Sequence, residues 1–192
     1  MKILALDSSG LVASVAVVEN DTLLAEYTVN YKKTHSQTLL PMLDEISNMT
    51  ELDLSTIDAI AVAGGPGSFT GLRIGSATAK GLGLALEKPL ISIPTTAAIA
   101  YNIWDTDKFV CPIMDARRNQ VYTGVYCYTD HRLDTVWEQD TMSIEALAEG
   151  LNCLDHEVIF LGDGVAVYRE KLEALLTIPF SFAPAHVNRQ RA

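Results

Sequence analysis

At 192 residues, 48% apolar and 20% charged, the chain is long enough for one large domain or two small ones and too apolar to be disordered. A net charge of −10 excludes a strong independent nucleic-acid binder, because affinity for a polyanion comes largely from Lys and Arg neutralising phosphates. The three cysteines, Cys111, Cys127 and Cys153, lack C-x-x-C spacing and fit a reducing cytoplasm, and neither a signal peptide nor a membrane-length apolar run is present.

In chain order, Ile3-Leu4-Ala5-Leu6-Asp7 reads as a buried strand closing in the turn Asp7-Ser8-Ser9-Gly10. Residues 12–18 form a second β-rich run, and Asn20-Asp21 turns into a third over 22–29. Such a turn is either an ordinary polar hairpin or a place where amides and a carboxylate face a phosphate. Next, Leu39, Leu40, Met42, Leu43, Ile46 and Met49 follow helical spacing, with Thr34 or Ser36 as the cap and Pro41 in the first turn. His35 lacks the second histidine that a helical metal site needs at i+4, where Leu39 stands, so its reading is structural.

A buried strand over 57–63 then runs into Gly64-Gly65-Pro66-Gly67, and a helix over 68–86 runs out, with Ser68 or Gly67 as its cap. Neither the Walker pattern nor G-x-G-x-x-G is satisfied: no Lys follows Gly71, and Thr70 stands where the last Gly belongs. This helix carries Gly71, Gly75, Gly81 and Gly83, each costing about 1 kcal/mol relative to Ala in a helix interior. Gly67, Gly71, Gly75, Ala79 and Gly83 recur every four residues as one smooth stripe, and Ala77, Gly81 and Ala85 form a second. A smooth stripe admits a close backbone partner, which is either the protein's own sheet or a helix of another molecule.

A strand at 90–93 and a helix over about 95–104 complete the first half, and Asp105-Thr106-Asp107-Lys108 is a polar break. The second half restarts in the same order. Val110-Cys111-Pro112-Ile113-Met114-Asp115 is a strand ending in Asp, followed by strands at 120–128 and 133–139, a helix from 143, a strand at 157–161, and a helix over 165–176 entered through Gly162-Asp163-Gly164. Beyond Pro179 the chain turns irregular, with Pro184-Ala185-His186-Val187 as the opening of another helix. The order βββαβα thus occurs twice, each first strand closing in an Asp (Asp7, Asp115), which indicates a duplicated α/β fold of two halves, 1–105 and 106–192, with a cleft between them.

That duplicated unit resembles the actin-like ATPase (ribonuclease H-like) fold. More closely, Ile3 to Ser9, Thr34-His35-Ser36-Gln37-Thr38-Leu39-Leu40-Pro41-Met42-Leu43, the Gly64 to Gly75 loop-helix and Met114-Asp115-Ala116-Arg117-Arg118-Asn119-Gln120-Val121-Tyr122 together resemble the TsaB family, once labelled glycoprotease-like. The resemblance is strong over residues 1–128 and weak beyond, where the second half reads as a degenerate, shortened copy. It implies a cytoplasmic, non-catalytic subunit that pairs with the catalytic paralogue TsaD and the ATPase TsaE. Their complex transfers threonylcarbamoyl to the adenosine beside the anticodon of tRNAs reading codons that begin with A; tRNA is met only through the complex.

The resemblance also implies a homodimer when the chain is alone, both pairings using the first two long helices. The implied interface residues are Leu39, Leu40, Leu43, Gly71, Arg73, Gly75, Ala79, Lys80 and Gly83, so this reading favours an intermolecular stripe. Asp7, Ser8, Ser9, Asp115, Gly162 and Gly164 would be a vestigial nucleotide cleft, with no metal and no cofactor on this chain alone, and ATP or ADP at the complex. The alternative is an actin-fold ATP-dependent phosphotransferase in which Asp7 and Asp115 handle magnesium-bound phosphates. A metallopeptidase lacks its second His, and four scattered histidines show no nucleophile–base pattern.

Overall fold

A computed structural model describes residues 1–31 and 35–192; Thr34, one of the two expected helix caps, lies outside the described residues. The chain divides into two compact units, Met1–Thr95 with Gln190–Ala192, and Thr96–Arg189, so the division falls at 95/96 where the sequence suggested 105/106.

The first unit is built on β1 (Lys2–Asp7), β2 (Ala13–Glu19), β3 (Thr22–Val29), β4 (Ala59–Gly65) and β5 (Leu90–Pro94), in the spatial order β3-β2-β1-β4-β5. β1 pairs antiparallel with β2 and parallel with β4, so its residues are flanked on both edges. That central place explains the unbroken apolar run Ile3 to Leu6. Its two long helices, α1 (Leu39–Thr50) and α2 (Phe69–Leu86), share one core with the sheet. Leu39, Met42, Leu43 and Ile46 of α1 meet Leu4, Leu6, Val15, Val17, Ile60 and Val62, with Ala79 of α2 in the same cluster. The N-cap of α1 is Thr38, two residues after Ser36, the later of the two expected caps, because a 3-10 turn at His35–Gln37 precedes it.

The second unit repeats this plan. It contains α3 (Thr95–Ala100) from the second residue of that helix, β6 (Phe109–Arg117), β7 (Gln120–Thr129), β8 (Arg132–Ser143), α4 (Ile144–Leu154), β9 (Val158–Leu161), α5 (Val165–Leu175) and β10 (Phe180–Phe182). Read from β8, its sheet order is β8-β7-β6-β9-β10, with the same antiparallel and parallel pairings as the first. Cys111 and Ile113 of β6 join one core with Ile144, Leu147 and Leu151 of α4 and Val165, Tyr168 and Leu172 of α5. Val110 and Met114 join the opposite cluster with Ile99 and Ala100 of α3. Period-two alternation of a strand buried on both faces produces that split.

Three expectations need correction. The helix from Thr95 stops at Ala100 and gives way to turns. The segment after Pro179 is not irregular throughout, since Phe180–Phe182 pairs parallel with β9 and stands where β5 stands in the first unit. No helix opens at Pro184, where the chain makes a turn closed by the Val187 amide on the Pro184 carbonyl. Among the described residues, no helix is long and apolar enough to cross a membrane.

Candidate functional site

β4 delivers the chain through Gly65-Pro66-Gly67 to α2, and the first turn of α2 is fastened to the β1–β2 turn. The Ser68 amide donates to the Ser9 carbonyl (2.7 Å), and Ser68 Oγ caps the helix by accepting from the Gly71 amide (3.3 Å). Ser8 Oγ, buried, donates to the Gly71 carbonyl (2.8 Å). A Cβ at Gly71 would overlap the Ser8 carbonyl oxygen, one at Gly75 would overlap Ser8 Oγ, and one at Gly67 the Ser9 carbonyl oxygen. One turn further on, Ala79 is fully buried, and a Cβ at Gly83 would lie 2.8 Å from Leu90 Cδ2.

The stripe Gly67, Gly71, Gly75, Ala79, Gly83 is therefore the seat of α2 on its own unit. This corrects the expectation that Gly71, Gly75, Ala79 and Gly83 form an intermolecular contact: they are buried within the chain, as are Leu39 and Leu43 of α1. The close approach of the Ser8 and Ser9 backbone is what the glycines make room for, and it offsets their poor helix propensity.

Of the expected interface residues, Leu40 (53% exposed), Arg73 and Lys80 do face outward. On α2 they have company that the sequence reading did not put in the interface, although it named Ala77, Gly81 and Ala85 as a second stripe. Phe69 (68% exposed), Ala77, Gly81, Leu84 (83% exposed) and Ala85 share the face opposite the glycine seat, and Arg73 lies 3.9 Å over the Phe69 ring. Around Gly81 a Cβ would meet nothing within 4 Å. The available signal was that α2 is small or apolar on both sides, the composition of a helix covered twice.

The expected cleft residues fall in both units. In the first, Asp7 Oδ1 accepts from the Ser9 amide (2.8 Å) and Ser9 Oγ (2.7 Å). Burial raises the Asp7 carboxyl above the usual carboxylate range, and the Ser9 hydrogen bonds and nearby His35 counter it only in part. His35 Nε2 sits 2.9 Å from the Gly10 carbonyl, so that nitrogen carries the proton, and Leu39 at i+4 belongs to the core. His35 is thus a clamp on the turn.

In the second unit, Asp115 Oδ1 accepts from the Arg117 amide (2.9 Å) and from Tyr168 Oη (3.0 Å), and the Asp115 amide donates to Asp163 Oδ1 (3.3 Å). Burial, helped by that bond to Asp115, pushes the Tyr168 hydroxyl up to about 12. Burial likewise raises Asp163. A Cβ at Gly162 would overlap the Ile113 carbonyl oxygen and one at Gly164 would lie 2.9 Å from it, so these glycines let the loop close on β6. Tyr168, and the Lys171, Asn119 and Glu145 group beside it, are partners the sequence did not reveal, since 26 to 53 residues separate them. Among the described residues, no group of three or more His, Cys, Asp or Glu is placed to hold a metal ion.

Residues 22–190 match the family model described as TsaD, tRNA N6-adenosine threonylcarbamoyltransferase. The chain is 35% identical over 176 residues to the tRNA threonylcarbamoyladenosine biosynthesis protein TsaB of Bacillus subtilis, covering 92% of this chain and 77% of that protein. It is 32% identical to the Escherichia coli protein of the same description, covering 85% and 72%. The solved structure of YeaZ from Pseudomonas aeruginosa superposes with a TM-score of 0.82 at 26% identity, over 98% of this chain and 86% of that one. A ROK hexokinase from Thermus thermophilus superposes at 0.51 with 14% identity, which shows the actin-like fold alone.

Proposed function

This chain belongs to the TsaB family of tRNA threonylcarbamoyladenosine biosynthesis proteins, and from that premise we propose that it is the non-catalytic scaffold subunit of the transfer complex. In this reading it binds the catalytic paralogue TsaD and the ATPase TsaE and forms a homodimer when alone. It meets tRNA only within the complex, which modifies the adenosine beside the anticodon of tRNAs reading codons that begin with A. Any ATP or ADP enters at the complex and not on this chain alone.

The observation that carries the proposal is the uncovered face of α2. Phe69, Ala77, Gly81, Leu84 and Ala85 give an apolar, smooth outer surface, with Arg73 and Lys80 along it and Leu40 exposed on α1. Exposed apolar surface of this kind, rimmed by charge, marks a protein contact. Small residues at Ala77, Gly81 and Ala85 allow a second helix to approach closely, so the packing logic expected of the first stripe passes to the second. Both carboxylates that a phosphotransferase would use, Asp7 and Asp115, are engaged in hydrogen bonds that shape their own turns.

The test is the light-scattering mass of wild type and Gly81→Arg, each alone and with the TsaD-like paralogue. Wild type is expected to be a dimer alone and a heterodimer with the paralogue. Gly81→Arg, entering open space, is expected to stay folded and lose both. Assembly that is unchanged in Gly81→Arg refutes the proposal.

A further inference from the structure

The turn between β6 and β7 holds Arg117, Arg118 and Asn119 in succession at φ 65°, 52° and 63°, the one run of three positive-φ residues among those described. Elsewhere, most such positions go to Asn20, Asp105, Asp130 and His131, types that tolerate the conformation, or to residues ending a helix, Glu51, Glu87 and Asp155. Arginine has no such tolerance, and a left-handed L-residue costs about 1–2 kcal/mol. Glycine at 117 and 118 would relieve that strain.

The tip is held from both sides. Asp115 Oδ1 takes the Arg117 amide and the hydroxyl of Tyr168, a residue of α5 that is 5% exposed. The Asn119 side-chain amide donates to Glu145 Oε2 of α4 (2.6 Å), and its oxygen accepts from Lys171 Nζ of α5. Lys171 Nζ also reaches Glu145 Oε1 (3.3 Å), and the Ile144 amide meets the Asn119 carbonyl at 3.4 Å. Strain of this kind persists where the surroundings over-determine it, and it concentrates at functional positions.

The clamp consumes Asp115 and Asn119 and leaves the two guanidinium groups untouched. Arg117 and Arg118 are both exposed, and neither side chain has an ion pair or hydrogen bond among the described residues. Of the other described Lys and Arg side chains, Lys2, Lys108, Arg169, Lys171 and Arg191 lie within 4.0 Å of a carboxylate, whereas Arg73, Lys80, Lys88, Arg132 and Arg189 do not and stand singly in the sequence. Two adjacent cations with no ion pair within 4.0 Å, in a chain of net charge −10, form a localised anion-seeking point. A guanidinium fork matches the oxygens of a phosphate in paired hydrogen bonds.

We propose that Arg117 and Arg118 are an RNA-backbone contact: the clamped hairpin presents both guanidiniums to phosphates of the tRNA when the protein is in its complex. This rests on the scaffold reading above. With its acidic balance the chain cannot hold a polyanion by these two groups alone, so the contact counts as part of a larger footprint shared with the partner.

The experiment measures tRNA affinity of the complex with the TsaD-like paralogue against salt, for wild type, Arg117→Gly/Arg118→Gly and Arg117→Lys/Arg118→Lys. The glycine variant is expected to bind roughly ten-fold more weakly, and the slope of log affinity on log salt is expected to flatten by about 2, one per lost phosphate contact. Its melting temperature is expected to equal or exceed wild type, because glycine accepts the left-handed backbone, and the lysine variant is expected to keep most of the salt slope. Unchanged affinity and slope in the glycine variant overturn the proposal. Loss of complex formation by that variant without RNA also overturns it, assigning the arginines to an acidic protein surface. A wild type that fails to assemble by light scattering overturns the scaffold reading and this contact with it; normal assembly with indifferent variants overturns the contact alone.

Discussion

Gly71→Ala and Gly81→Ala are the same chemical change ten residues apart on one helix, and the structure gives them opposite signs. Alanine in place of glycine in a helix interior gains about 1 kcal/mol in propensity at either position. At Gly81 nothing in the chain itself lies within 4 Å of the added methyl, so in the monomer that gain stands, and Tm at low protein concentration rises by about 2–4 °C for a chain of this size. At Gly71 the methyl overlaps the Ser8 carbonyl oxygen, a backbone atom that cannot rotate away. Overpacking of this kind costs about 1–3 kcal/mol. Moving α2 outward to relieve it strains the buried Ser8 Oγ bond to the Gly71 carbonyl, worth about 1–3 kcal/mol when its partners are left unsatisfied. Against the propensity gain, the net effect at Gly71 is destabilisation of about 1–5 kcal/mol. Urea unfolding followed by circular dichroism, with thermal melts alongside, reads both variants. Stabilisation of Gly71→Ala to the same degree as Gly81→Ala would refute the claim that the stripe is the seat of α2 on the β1–β2 turn.

Other outcomes follow from the titrating groups and the helix surface. Because burial raises Asp7, its ionisation costs the folded chain more than the unfolded one; the penalty is absent below the unfolded value of 3.8 and grows as pH rises through the folded one. Asp7→Asn, which keeps an oxygen to accept from Ser9, is expected to melt higher than wild type at neutral pH, and the gap should close as pH is lowered toward 3.8; equal melting at both ends contradicts the buried-charge argument. Tyr168 follows the same sign at the alkaline end: its protonated form is favoured by folding, so its contribution is intact below pH 10 and is lost as pH rises toward about 12. Tyr168→Phe should cost about 1 kcal/mol at neutral pH through the lost bond to Asp115 and should flatten the alkaline fall in stability, measured as urea midpoints from pH 8 to 11. Leu84→Asp, on the outer face of α2, is expected to leave Tm within about 2 °C at low protein concentration while abolishing the dimer in sedimentation velocity.

The order of elements was legible because its signals are local. Strand runs such as Ile3 to Leu6, the spacing of Leu39, Met42, Leu43 and Ile46, and the Gly65-Pro66-Gly67 punctuation each lie within about a dozen residues, the range over which side-chain period reports backbone geometry. The repeated order also carried the duplication, which the matching sheet topologies bear out. β10 was missed because three residues have too few alternations to show a period, and Phe180–Phe182 becomes a strand only by finding β9 as a hydrogen-bonding partner.

For the site, the sequence determined that α2 carries two smooth stripes, and tertiary structure alone decided which faces inward. Small residues every four positions permit a close approach without saying to what, and the placement of the β1–β2 turn against Gly67, Gly71 and Gly75 settled it. The clamp beneath Arg117 and Arg118 is of the same kind. Tyr168 and Lys171 lie about fifty residues from the turn they hold, so their hydrogen bonds exist only once α5 has packed onto the sheet, and no local pattern of charge or period records them.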